Sequence, residues 1–112
     1  MTQPSAQQSS SSEASLAEDG RHVYRLYVSS ASPVSSRAIV NARVFFDAHL
    51  PGKHRLEVLD IASHVEAARG DQIVASPTLI RLLPLPRRQF IGDMSNTERL
   101  RSTLGLKPLD PV

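Results

Sequence analysis

Four histidines, three well-separated aspartates and a set of arginines hold most of the chemistry this sequence can offer. His22, His49, His54 and His64 form no i,i+4 pair and no His-x-Glu arrangement with a second ligand nearby, so they read as surface histidines and not as a metal site. Asp60, Asp71 and Asp93 stand alone at strand or loop ends. Asp93 suits support of a turn better than acid–base work. The five glycines are spread singly, which excludes a Gly-rich phosphate loop. No cysteine is present, which excludes disulfides, thiolate chemistry and Cys-based zinc sites. No cofactor is implied. The basic residues remain. Arg37, Arg81, Arg87 and Arg88 are the best candidates for contacts with an acidic protein surface.

These residues need elements to hold them. His22–Val28 (HVYRLYV) is apolar at nearly every position, as in an inner strand covered on both faces. Ser29–Ser36 is a small, polar loop broken by Pro33, with Ser35 or Ser36 available to cap a helix. The spacing of Ile39, Ala42, Phe46 and Leu50 predicts that helix over about Arg37 to His49, stopped by Pro51-Gly52. His54–Ile61 alternates as a second strand. Strand, helix, strand makes a right-handed crossover with parallel strands. Ser63–Val74 is ambiguous: a short helix interrupted at Gly70 fits. Two short strands follow, around Ile80–Leu82 and in Arg87–Asp93. They are joined through Pro84 and Pro86, too closely for a crossover, so they form an antiparallel hairpin. Ser95–Glu98 has the Ser-x-x-Glu form of a capping box, opening a helix from about Asn96 to Leu104 that Gly105 ends. The order β-α-β-α-β-β-α defines a single α/β domain with the thioredoxin-like arrangement.

Length allows one domain. Seven of the first fifteen residues are Ser or Thr and three are Gln, and Leu16 is the one large aliphatic after Met1 up to residue 20. Such a segment buries too little to offset its ordering entropy, so residues 1–20 are expected to be a disordered tail. The domain is expected over 21–108, with a short tail at 109–112. All thirteen Lys and Arg follow residue 20, against eight Asp and Glu, a net +5; Glu13, Glu18 and Asp19 give the first twenty residues −3. That modest charge, with two Tyr, three Phe and no Trp, argues for a protein partner and against nucleic acid. Neither a signal-peptide core nor an apolar run of membrane-span length is present, so a soluble cytoplasmic protein without membrane association is expected.

Four stretches together resemble the KaiB circadian-clock family: Tyr24–Val28 followed by a Ser/Pro loop and Arg37; Val58-Leu59-Asp60; Ala75-Ser76-Pro77-Thr78-Leu79; and Phe90-Ile91-Gly92-Asp93-Met94-Ser95. Pro-Thr alone is common to thioredoxin-like domains. Its combination with LLPLP and FIGDMS is far more specific, and the likeness spans roughly 80 residues. The loop SSASPVSS departs from the Gly and Asn usual in the family, and Glu57 replaces a lysine. The resemblance implies a non-catalytic regulator that binds a KaiC-type hexameric ATPase in its thioredoxin-like form. It also implies a second fold, with a rearranged C-terminal half and assembly into dimers or tetramers. Arg37, Arg81 and Arg88 would contact the ATPase, while Pro77, Gly92 and Asp93 would specify the fold. Thioredoxins carry Cys-x-x-Cys where this chain has Ser29–Ser35, so thiol exchange is impossible here, and a cis bond at Pro77 would keep only its structural role. The alternative is a cysteine-less thioredoxin-like sensor or adaptor, kin to the N-terminal domain of a clock histidine kinase.

Overall fold

A computed structural model describes residues 19–109. The expected tail up to residue 18, and the expected C-terminal tail beyond residue 109, lie outside the described residues. In order, the elements are β1 (His22–Val28), α1 (Pro33–His49), β2 (His54–Asp60), a 3₁₀ turn (Ile61–Ser63), α2 (Val65–Gly70), β3 (Thr78–Leu83), β4 (Arg88–Ile91) and α3 (Thr97–Leu104). This is the β-α-β-α-β-β-α order read from the sequence. The sheet runs β2-β1-β3-β4. β1 is parallel to β2 and antiparallel to β3, and β3 is antiparallel to β4. β1 is therefore an inner strand, in keeping with an apolar run that only Arg25 interrupts.

The two faces of β1 separate two cores. Tyr24, Leu26 and Val28 point to the side covered by α1 and α3, where they pack with Ala38, Ala42, Phe45, Phe46, Leu79, Phe90, Met94, Leu100 and Leu104. Tyr27 points to the other side, where Leu59, Ile80 and Ala68 of α2 form a smaller cluster. The large core has an aromatic centre: the Tyr24 and Phe46 rings are 4.2 Å apart, and Phe45 meets Phe46 edge-on at 5.2 Å.

Helix boundaries differ from the sequence reading in instructive ways. α1 starts at Pro33, four residues before the expected Arg37. Its cap is Ser32, whose hydroxyl accepts from the Ser35 amide at 3.3 Å. Proline suits the first helical position because its missing N–H has no partner there in any helix. Ser35 does not cap; it is buried, and its hydroxyl accepts from the Ser29 amide at 3.0 Å, closing the loop onto the helix. α3 is capped by Asn96, whose side chain accepts from the Arg99 amide at 3.1 Å, and not by Ser95. Glu98 pairs with Arg101 instead of reaching back to the cap. Gly105, with φ of 70°, closes α3 in the left-handed conformation. Among the described residues no helix is long and apolar enough to cross a membrane.

Phe46 is fully buried between β1 and the His54 ring. Removing its ring leaves a cavity that the surrounding rings only partly fill. Phe46→Ala is expected to cost about 3–5 kcal/mol in urea unfolding. A midpoint equal to that of the native chain would contradict this packing.

Candidate protein-binding site

The loop after β1 holds Ser29 and Ser30 where a thioredoxin-like redox site would need thiols. A serine hydroxyl has neither an accessible anion nor a two-electron couple, so the loop cannot carry thiol–disulfide exchange. Opposite stands the entry to β3. The Ser76–Pro77 peptide is cis. The Pro77 carbonyl accepts from the Gly92 amide at 3.0 Å, joining two of the three residues read as fold-specifying. Gly92 has φ of 131°, a conformation that side chains rarely adopt.

Asp93, the third, sits at the junction of this loop with α1. Its carbonyl accepts from the Asn41 side chain at 2.7 Å, and its carboxylate accepts from the Ser95 amide at 3.0 Å. That amide bond, with Arg37 close by, holds the Asp93 carboxyl below its usual range. Arg37 Nε lies 3.7 Å from the same carboxylate, and more than half of the Arg37 side chain remains exposed. Arg37 and Asp93 thus form one polar surface where the start of α1 meets the loop before α3.

Arg81 is placed differently. It is 6% exposed, and it faces the large core on the same side of β3 as Leu79. Its Nη1 donates to the Leu104 carbonyl at 2.6 Å and its Nη2 to the Pro86 carbonyl at 2.9 Å. Leu104 ends α3, so the guanidinium occupies the carbonyl end of that helix, where the dipole favours a cation. Burial lowers the Arg81 pKa, and neighbouring Arg88 acts in the same direction. Arg37 stands near the start of α3 and Arg81 at its end. The sequence reading put Arg37 and Arg81 near one edge; in the fold Arg37 is exposed beside Asp93, whereas Arg81 is buried against the end of α3. Arg88 is exposed on edge strand β4, directly opposite Arg81 in register. Of the three arginines, Arg37 and Arg88 present charge at the surface in this fold.

Sequence reasoning missed the polar cluster on the other face. Asp71, read as an isolated carboxylate, ends α2 with its side chain only 7% exposed. It accepts from Arg25 Nη1 at 2.9 Å and from the Tyr27 hydroxyl at 2.6 Å, and it pairs with Arg87 at 3.1 Å. Arg25 also donates to Glu57 on β2 at 2.9 Å. The signal was Arg25 itself, the one charge inside an otherwise apolar inner strand, two residues from Tyr27 and so on the same face. Burial works to raise the Asp71 carboxyl, but the hydrogen bonds from Tyr27 and Arg25 and the charges of Arg87 and Arg25 outweigh it and hold the group below its ordinary range.

The described fold is an α/β domain without thiols that leaves Arg37 and Arg88 exposed. The family profile described as the KaiB domain matches residues 25–106. The circadian clock oscillator protein KaiB of Prochlorococcus marinus is 36% identical over 85 residues, covering 76% of this chain and 73% of the relative. The same-named protein of Synechococcus elongatus is 35% identical over 85 residues, covering 76% and 83%. The chain belongs to the KaiB family. Among solved structures, the N-terminal domain of Synechococcus elongatus SasA superposes with a TM-score of 0.62 at 18% identity, covering 80% of this chain and 89% of that domain. Fasciola hepatica thioredoxin gives 0.64 at 13% identity, covering 92% and 93%. At these identities the structural likenesses establish the thioredoxin-like fold alone.

The Asp71 cluster makes a pH prediction. A carboxyl whose folded pKa is depressed adds stability above its unfolded pKa and loses it as pH falls through the folded value. Asp71→Asn is expected to destabilise the chain by about 3 kcal/mol at pH 7, as when one partner of a buried pair is removed. It should also flatten the fall of the urea midpoint between about pH 5 and pH 2. An acid limb as steep as that of the native chain would remove Asp71 from this role.

Proposed function

We propose that this chain is a non-catalytic regulator that binds a KaiC-type hexameric ATPase in the cytoplasm, as part of a timing or related regulatory system. The observation that carries the proposal is the KaiB-domain match across residues 25–106, almost the whole of the described domain. The relatives are named as circadian clock oscillator proteins, and the same role is proposed here. The contact surface is assigned to Arg37 and Arg88, with Asp93 orienting Arg37. Arg81 supports the surface from inside by fixing the end of α3. An acidic patch on the ATPase ring is the matching chemistry, since guanidinium–carboxylate pairs are charge-assisted and directional. Self-association into dimers or tetramers, through a rearranged C-terminal half, belongs to the same proposal. The adaptor reading, kin to a clock-kinase N-terminal domain, rests on the likeness to the SasA domain, which is one of fold.

Truncating one partner of a desolvated charge pair costs about 2–5 kcal/mol, so a reversed charge should weaken binding at least tenfold. Arg37→Glu and Arg88→Glu are each expected to do so against a KaiC-type hexamer, with far-UV circular dichroism unchanged. Native affinity in both variants would dismiss this surface.

A further inference from the structure

The sheet has two open edges, and they differ in charge. Edge strand β2 carries both signs, Arg55 against Glu57 and Asp60. Edge strand β4 carries a cation alone, Arg88, and Arg87 immediately precedes it. The direction of its backbone groups follows from the register. The Gly92 amide donates to the Pro77 carbonyl at 3.0 Å, and the same register sets Phe90 opposite Leu79 and Arg88 opposite Arg81. Opposed residues of an antiparallel pair alternate between bonded and unbonded. Gln89 and Ile91, opposite Ile80 and Thr78, are therefore the unbonded ones, and their N–H and C=O groups point away from β3. No proline or register shift interrupts β4 to guard that edge.

The side chains beside this edge are cationic on one face and apolar on the other. Phe90 faces the large core, so Arg88, two residues away, lies on the same side of the strand. The Arg99 guanidinium of α3 stands over the Phe90 ring, 5.2 Å from its centroid. The two guanidiniums thus mark the Arg88 and Phe90 positions of β4, about 7 Å apart along the strand. Both arginines are exposed, and among the described residues neither forms an ion pair. The carboxylates nearest in sequence are already engaged, Asp93 with Arg37 and Glu98 with Arg101. On the opposite face Ile91 is 49% exposed.

These features define a complementary strand. A strand added to β4 pairs its backbone with Gln89 and Ile91 and alternates its own side chains between the two faces. Carboxylates two residues apart then meet Arg88 and the Arg99 above Phe90, in charge-assisted, directional bonds. The residue next to one of them falls beside Ile91, where an apolar side chain forms a favourable cross-strand pair. We propose that β4 accepts an extended acidic segment of a partner protein as a further strand of the sheet. The segment carries carboxylates at alternate positions, with an apolar residue adjoining one of them. The proposal rests on the reading of Arg88 as a partner contact and adds the form of what meets it.

The test is a titration of the full isotope-labelled chain with an end-capped peptide, Thr-Val-Glu-Thr-Glu-Thr, followed by amide shifts. Saturable shifts are expected, largest at Gln89 and Ile91. Strand pairing uses alternate amides of the peptide, so N-methylation of one alternate set should abolish saturation, while N-methylation of the other should leave affinity within about twofold. Arg99→Gln should weaken binding severalfold, as loss of an exposed charge pair does, with circular dichroism unchanged. Equal binding of both N-methylated peptides would reduce the contact to charge attraction and overturn the proposal. So would unchanged affinity in Arg99→Gln, or shifts at Gln89 and Ile91 that grow with chain concentration alone and so assign the edge to a second copy. Arg99 has no part in the Arg37–Arg88 surface, and no hexamer enters the titration. A peptide that fails to bind, beside hexamer binding lost in Arg37→Glu and Arg88→Glu, sinks the added strand alone. A peptide that binds, beside native hexamer affinity in those variants, dismisses the ATPase surface and not the added strand.

Discussion

The Arg81 guanidinium is the contact through which the second half of this fold is tied together. It issues from β3, next to the central strand β1, and reaches two carbonyls that belong to other elements: Leu104 at the end of α3 and Pro86 in the turn before β4. One side chain thereby fixes the end of the last helix and the hairpin turn against the sheet. A buried cation is costly unless its donors are used. Here Nη1 and Nη2 are paired with carbonyls, one of which would otherwise be an orphan helix-end group, while Nε is buried without a partner. Tyr24 lies opposite Arg81 in register, and burial pushes its hydroxyl up to about 12, so the aromatic neighbour stays neutral beside the charge.

The other face of the sheet uses the same device with a carboxylate. α2 has six residues and buries only Ala68, which is too little apolar surface to hold a helix in place. Asp71 provides the missing attachment, joining the end of α2 to Arg25 and Tyr27 on β1 and to Arg87 before β4. Large apolar contacts hold α1 and α3 to the sheet, whereas a polar cluster holds α2. The two kinds of attachment respond differently to conditions: the first is insensitive to acid, and the second weakens once the carboxyl is protonated.

How much of this could be read in the sequence follows from the same division. β1 was legible because an inner strand leaves its mark at every position, and α1 and the hairpin because their apolar spacing and proline placement have few other readings. The start of α1 was displaced because Pro33 looks like a breaker when it is a first helical residue. The α3 cap moved by one residue because Ser95 and Asn96 are both competent caps, and Asp93 holds the Ser95 amide. α2 was ambiguous because its attachment is polar and distant in sequence. The burial of Arg81 was hidden for the same reason: its two carbonyl partners are 5 and 23 residues away. Among the residues named for binding, Arg37 and Arg88 are exposed and Arg81 is buried, a difference no local pattern in the sequence marks.

The chain belongs to the KaiB family, and under the binding function proposed above the arginines divide between Arg81, which is buried against the end of α3, and Arg37 and Arg88, which are exposed. Arg81→Met separates these roles most directly, because methionine keeps much of the volume and removes the donors. Loss of the two hydrogen bonds should lower stability by about 1–3 kcal/mol in urea unfolding. Affinity for a KaiC-type hexamer, corrected for the folded fraction, should stay close to that of the native chain. Unchanged stability together with a large loss of affinity would show that Arg81 meets the partner and does not brace the fold.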